Sequence, residues 1–417
     1  MKNKGIFYGW FVVAGCLLIT MTLVPPVMAL AGKFQVAVTT ELGISQSEFT
    51  LANALLQGLG IFISPIISAK LAKGNMKRIQ CIGIVGFAAC YATYALAQNQ
   101  WMLYVSSLFI GIFWLMSALI PVSMMITNWF VKQRGLAMSI AMAGIGIGGM
   151  IFSPIITSLI GQFGWRMTYF IFAVIVLVIA LPSALFLCKK KPEDVGLVAL
   201  GADEEASNKQ TSGKQVDMKL SVKQSWGKIF FWMMLIAMLC NGLINSGALG
   251  QFPRALQLMQ GAEVQALIIS MYSGIGIVGK LFLGWVNDKF GVVASAATGC
   301  ILFAVSFIFM FLGENDVTML YIMAVLFGLG DAIGTVTPPL VTAAVFGQKK
   351  YGEAYGIANS FTQVGLTLGS LFVAAIYDVS GTYTNAWIVL FVLTCVTLLG
   401  WCGSILVSRK YRTEVEA

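Results

Sequence analysis

The sequence predicts an all-α integral membrane protein, a bundle of twelve transmembrane helices, and three observations carry that prediction. The 417 residues are 58% hydrophobic and 10% charged, far from the roughly 25% charged share of a soluble domain. Mean hydropathy is +0.86. The apolar residues fall in runs of about twenty separated by short polar breaks, the length a helix needs to cross a ~30 Å hydrocarbon core. β-barrel alternation is absent.

Taken in order, the spans cover approximately 7–31, 48–69, 79–98, 101–128, 136–161, 166–187, 229–250, 265–286, 293–313, 318–341, 354–377 and 385–408. The first is longer than a signal-peptide core and lacks a small-residue cleavage site, so it reads as span one. Pro25-Pro26 and Pro338-Pro339 predict bends in spans one and ten. Gly144-Ile-Gly-Ile-Gly-Gly149 lies inside span five with no strand before it, which makes it a close-packing surface rather than a phosphate loop.

Between spans six and seven lies the long polar stretch, beginning Lys189-Lys190-Lys191, carrying Asp203-Glu204-Glu205 and rich in Ser, Asn, Lys and Gln. It predicts a flexible linker over 189–228 between two six-helix domains, 1–188 and 229–417. With the N-terminus inside, the inner segments hold 22 of the 26 basic residues. The excess marks cytoplasmic loops, so both termini are expected in the cytoplasm of a multi-pass protein in the inner (plasma) membrane. The net charge of +9 is thus a topology and lipid-surface signal and calls for no nucleic-acid partner.

The two halves match at a nearly constant offset. The turn Ser68-Ala-Lys-Leu-Ala-Lys-Gly74 after span two aligns with Trp285-Val-Asn-Asp-Lys-Phe-Gly291 after span eight, a shift of 217. Trp129-Phe130 and Arg134-Gly135 before span five align with Val345-Phe346 and Tyr351-Gly352 before span eleven, at shifts of 216 to 217. Parallel repeats of this kind place a transport site between the halves, near mid-membrane.

The chain contains no histidine, which removes the usual metal ligand and the usual proton carrier near neutral pH. Any proton coupling must use a carboxylate. Eight cysteines, at 16, 81, 90, 188, 240, 300, 395 and 402, all sit in or beside apolar runs and read as packing residues, without a disulfide framework or a zinc pattern. No metal site, cofactor, hydrolase or nucleotide-binding constellation is predicted.

Lys280 stands in an otherwise uncharged part of span eight, eight residues before Asp288, or roughly 12 Å along a helix. An ammonium that deep does not snorkel easily, and an intramembrane charge costs ~2.5–3.5 kcal/mol on insertion scales, so it faces a cavity or a partner. Two readings stay open, a substrate or coupling role and an interhelical ion pair. Asp331 in span ten lies about thirteen residues from its outer end, and Lys280 about fifteen from that of span eight. The depths agree, so a pair is possible, and protonation of Asp331 would then free Lys280. Asn241 and Asn245 share a face of span seven and suit either substrate contact or interhelical hydrogen bonding. Tyr272, two turns before Lys280, is expected to pack in the same cavity. Lys33, near the outer end of span one, is a candidate for attracting anions; Arg166 and Arg254 lie at the outer boundary of spans six and seven.

These residues resemble the major facilitator superfamily, whose Gly-x-x-x-Asp-(Arg/Lys)-x-Gly turn follows spans two and eight. The second copy here is Gly284-Trp-Val-Asn-Asp288-Lys289-Phe-Gly291, the expected gating turn. In the first copy Leu71 replaces the acid and Ala72 the base. Phe7-Tyr8-Gly9-Trp10, Asn128-Trp129-Phe130, Arg134-Gly135-Leu136-Ala137, Gly164-Trp165-Arg166 and the 191–197 run Lys-Pro-Glu-Asp-Val-Gly-Leu are similar to the branch of monocarboxylate transporters and oxalate/formate-type antiporters. In that branch a basic residue on helix eight binds a substrate carboxylate, which the resemblance assigns to Lys280, and a basic residue in the outer part of helix one belongs to the pattern, with Lys33 some residues away from that place. Oxalate carriers carry a second lysine six residues after a Tyr-Gly pair on helix eleven. Counted from Tyr355-Gly356, that place is Thr362, and a single charge favours a monoanion.

The resemblance implies a secondary active transporter, not an enzyme, moving a small monocarboxylate by alternating access, with protons or a counter-anion as coupling partner and a monomer in the bilayer. Efflux of hydrophobic cations is the alternative; it would depend on Asp331 and ignore Lys280. A membrane sensor without flux is the third reading.

Overall fold

The structure, a computed structural model, describes residues 7–28, 30–202, 217–314 and 316–413. Of the sequence features, Lys2, Lys4 and the acidic run at 203–205 lie outside the described residues. Among those described, ten helices are long and apolar enough to cross a membrane. Two of them are double length: Arg134–Leu187 with 54 residues and Val317–Ser380 with 64. The first breaks at Gly164 (φ 76°) and the second at Gly347 (φ 70°), which gives the twelve crossings. Positive φ costs a side chain heavily, and glycine removes that cost. Ile229–Gly261 and Glu263–Phe290 part in the same way at Gly261 (φ 82°).

Span one differs from the single helix expected over 7–31. It runs as Gly9–Leu23, resumes as Pro25–Met28 and continues as a third helix, Ala31–Leu42. Pro25 and Pro26 bring no N–H to the ladder, so the helix cannot continue unbroken. Span ten likewise ends its α-helix at Gly330, passes through a 3₁₀ turn over Asp331–Gly334 and restarts at Thr337–Pro338.

The chain forms two compact units, 1–132 with 140–209, and 133–139 with 210–417. Within the first, small residues let backbones meet: a Cβ on Gly144 would fall 2.4 Å from the Leu17 carbonyl oxygen, and one on Gly111 2.5 Å from that of Leu56. The glycine run in span five is therefore a packing surface. Within the second, Gly242, Gly365 and Gly369 do the same for spans seven and eleven, where a Cβ on Gly365 would overlap the Leu239 carbonyl. Large apolar side chains such as Phe62 and Phe186 point outward, 75% and 72% exposed, as lipid-facing residues do. All eight cysteines are free.

The linker is ordered at both described ends, more than its composition suggests. Trp129 Nε1 donates to the Lys189 carbonyl at 2.8 Å, Asn128 to that of Lys190 at 3.1 Å, and Lys190 Nζ donates to the carbonyls of Ala72 and Gly74 at 2.6 and 3.0 Å. Burial pushes the Lys190 ammonium below its ordinary pKa, with Lys191 adding to the effect. At the other end Asp217–Met218 pairs antiparallel with Arg412–Thr413, and Lys350 Nζ donates to the Met218 carbonyl.

Candidate functional site

Spans eight and ten approach closely because glycines line the contact. A Cβ on Gly279 would lie 2.5 Å from the Gly328 carbonyl oxygen and 2.6 Å from that of Leu329; one on Gly328 would lie 2.8 Å from the Tyr272 carbonyl oxygen. A Cβ on Gly276 would lie 3.3 Å from Asp331 Oδ2. Gly276 therefore makes room for a carboxylate one helical turn from Lys280.

Into that space Asp331 projects from the point where the span-ten helix gives way to its 3₁₀ turn, and Lys280 Nζ meets Asp331 Oδ2 at 2.5 Å. This is a charge-assisted hydrogen bond, about twice as strong as a neutral one. The side chains are 7% and 23% exposed, so the carboxylate is the more open partner. A buried pair is weak evidence for stability, yet removing one member strands a charge at a cost of ~3–5 kcal/mol.

The asparagines of span seven extend this polar strip. Asn245 Nδ2 donates to the carbonyl of Asn241 at 2.8 Å and to its Oδ1 at 3.0 Å. A Cβ on Gly334 would fall 2.5 Å from Asn245 Oδ1, so Asn245 sits against span ten three residues after Asp331. The Asn241 amide nitrogen is buried without a partner, as is Gln363 Oε1. Thr362 packs its carbonyl on Gly242, next to Asn241, while its hydroxyl bonds back to the Ala358 carbonyl at 3.2 Å. The Tyr272 ring turns into an aromatic cluster, 5.3 Å from Phe327 and 6.2 Å from Phe252 between centroids.

The turn after span eight is built as a cap. Asp288 accepts the backbone N–H of Gly135 at 2.7 Å and of Leu136 at 2.8 Å, satisfying two donors at the start of the helix that opens at Arg134. Gly284 packs on Ser139 and the Gly135 carbonyl, Lys289 lies 5.0 Å over the Trp285 ring, and Gly291 takes φ +88°.

Lys33 belongs to the other unit. Exposed on the third segment of span one, it donates to Thr157 Oγ1 at 3.1 Å beside an open groove of about 480 Å³ that Glu41 and Trp165 also line. Sequence reasoning missed the network next to it. Glu41 accepts Arg166 Nε at 2.9 Å and Trp165 Nε1 at 2.5 Å, and Arg166 Nη1 donates to the carbonyls of Ala95 and Ala97 at 2.8 and 2.7 Å. The Arg166 hydrogen bond, then that of Trp165, holds the Glu41 carboxyl below its ordinary pKa. Only the Gly-Trp-Arg run pointed to this place; Glu41 lies 125 residues away from Arg166. The glycines around Lys280 stand in the sequence as a Gly-x-Gly-x-x-Gly-Lys string over 274–280, a signal that by itself does not point to a seat for Asp331.

The family model of the Major Facilitator Superfamily matches residues 6–266 and 234–416. The chain belongs to the Major Facilitator Superfamily. It is a multi-pass membrane transporter of that superfamily, with its fold of two repeated helical halves. Monocarboxylate transporter 12 of Mus musculus is 23% identical over 98% of this chain and 87% of its own length. Monocarboxylate transporter 12-B of Danio rerio is 25% identical over 90% and 83%, and the uncharacterized MFS-type transporter YhjX of Escherichia coli 24% over 81% and 80%. Among solved structures, the human organic anion transporter MFSD10 superposes with a TM-score of 0.67 at 16% identity, covering 94% of this chain and 98% of that one. FucP in its outward conformation gives 0.66 at 13% identity, covering 94% and 99%.

Proposed function

We propose that this transporter moves a small monocarboxylate across the plasma membrane by alternating access, with both termini cytoplasmic and domain limits near 1–188 and 229–417. The observation that carries the reading is the Lys280–Asp331 pair, 2.5 Å apart within the apolar spans. A substrate carboxylate competes with Asp331 for Lys280. Protonation of Asp331 releases the ammonium to the anion, which couples a proton to each substrate; a counter-anion returning on Lys280 gives exchange instead. Asn241 and Asn245 offer amides to the substrate's polar end, and Thr362, in place of a second cation, leaves one positive charge for one negative charge. Loosening the Asp288 cap is the proposed gate. Relatives named monocarboxylate transporters support the substrate class.

The deciding experiment is uptake of radiolabelled lactate and formate by proteoliposomes containing wild-type protein or Lys280→Gln. Wild type is expected to take up at least one of them. Losing a hydrogen bond to a charged group costs about 1.5–3 kcal/mol, so the variant should lose uptake roughly 10- to 100-fold. Unimpaired uptake by Lys280→Gln would end the proposal.

A second reading, proton-driven efflux of a hydrophobic cation, is favoured by the greater exposure of Asp331, 23% against 7% for Lys280. It predicts that Asp331→Asn abolishes ethidium efflux from loaded vesicles while Lys280→Gln leaves it intact.

A further inference from the structure

The break in span one has a holder. Beyond Leu23 the ladder is interrupted: Val27 N–H turns to the Val24 carbonyl at 3.2 Å, and Pro25 and Pro26 have no N–H to give. The Leu23 carbonyl, which Val27 would satisfy in an unbroken helix, instead accepts Trp114 Nε1 at 3.0 Å. Trp114 is 2% exposed on span four and stands four residues before Ala118, where span four itself leaves helical geometry at φ −94°, ψ −112°. One indole N–H thus ties together two interrupted helices at their interruptions.

Both sides of the break are differently secured. The inner segment is packed through Gly144 and Gly148 of span five, against Leu17 and Met21. The outer segment is fixed to span six, where Phe34 stacks on Tyr169 with centroids 3.9 Å apart and Glu41 holds Arg166. Pro26 and Val27, at the break itself, border a cavity of about 20 Å³ that Tyr91 and Asn53 also line, with the Tyr91 hydroxyl buried and unpartnered. The break has a void beside it and the Trp114 hydrogen bond restraining it.

We infer that Trp114 is a positioning residue that latches a hinge in span one, so that the hydrogen bond to Leu23 sets how readily the outer segment swings during transport. It is not among the proposed substrate ligands. The hinge needs only a transporter of this superfamily, and not the monocarboxylate assignment.

The test is hydrogen–deuterium exchange of full-length protein in nanodiscs, wild type against Trp114→Phe, read with lactate influx. Losing one hydrogen bond corresponds to about a five- to tenfold rise in exchange, expected in peptides from 20–30 and not in those from span three, 76–93. The maximal rate of influx should change several-fold while KM stays within about twofold, because reorientation is altered and binding is not. Unchanged exchange at 20–30, an equal rise across the whole N-terminal unit, or a shift in KM alone would overturn the hinge. If Trp114→Phe does not fold, Trp114→His, which keeps a ring N–H, is expected to hold exchange at 20–30 at the wild-type level, and a rise there would refute the latch. Should wild type carry no lactate, the substrate proposal fails and the exchange data still decide the hinge.

Discussion

At the repeat offset of 217 residues, Lys280 and Asp331 of the second half correspond to Ile63 and Trp114 of the first. Both halves interrupt the same helix at the same place: Ala118 in span four and Thr335 in span ten have non-helical backbones, and Pro121 matches Pro338. In each, the residue four positions before the interruption reaches another helix, Trp114 through an N–H to a carbonyl of span one, Asp331 through a carboxylate to the ammonium of span eight. One frame thus carries a neutral latch in one half and a charged pair in the other. The asymmetry extends to the turns, where Asp288 caps a helix while its counterpart Leu71 is fully buried. Duplication supplies the scaffold, and the buried Lys280–Asp331 pair stands in one copy.

The sharpest way to break this comparison is to strand a charge. Asp331→Leu should destabilise the protein by about 3–5 kcal/mol in a thermal or denaturant titration of purified protein, and Lys280→Leu added to it should restore most of that loss. If the double variant is no better than the single, the pair is not the unit described here. Next in size is Gly279→Leu, whose side chain meets the backbone of Gly328 and Leu329. Overpacking of this kind costs ~1–3 kcal/mol. Its counterpart Phe62 is 75% exposed, and Phe62→Leu should stay within about 0.5 kcal/mol. Asp288→Ala comes third, at about 0.5–2 kcal/mol for a lost cap, with faster exchange at Gly135 and Leu136.

The smallest effect belongs to Glu41, half exposed on the Ala31–Leu42 helix. Its folded pKa is depressed by Arg166 and Trp165, so its stabilising contribution is fully present above the ordinary Glu value near 4.3 and is lost as pH falls through the folded value. The thermal midpoint of wild type should fall on acidification below about pH 4.3 by slightly more than that of Glu41→Gln. Equal acid dependence of the two would remove Glu41 from the account.

Much of the fold was legible because a bilayer imposes a single length and polarity on every crossing. The Lys280–Asp331 partnership was legible as equal depth, since an intramembrane charge requires a partner and few were available. Its seat was not, because Gly276, Gly279 and Gly328 acquire meaning only when two helices are laid together. Trp114 was hidden for a related reason: its indole answers the Leu23 carbonyl, 91 residues earlier, left free where Val27 turns its N–H to Val24, and backbone vacancies carry no side-chain signature. In span one the double proline was legible as a bend, but the further helix Ala31–Leu42 beyond it was not.

The central claim is that Asp331 is the proton-carrying switch for an anion held by Lys280. The direct measurement is proton movement accompanying lactate in proteoliposomes, recorded with an internal pH dye, for wild type and Asp331→Asn. Lactate added outside wild-type vesicles should acidify the lumen, whereas Asp331→Asn should exchange labelled lactate across the membrane with no accompanying pH change. Lactate-driven acidification at the wild-type rate in Asp331→Asn would contradict the account.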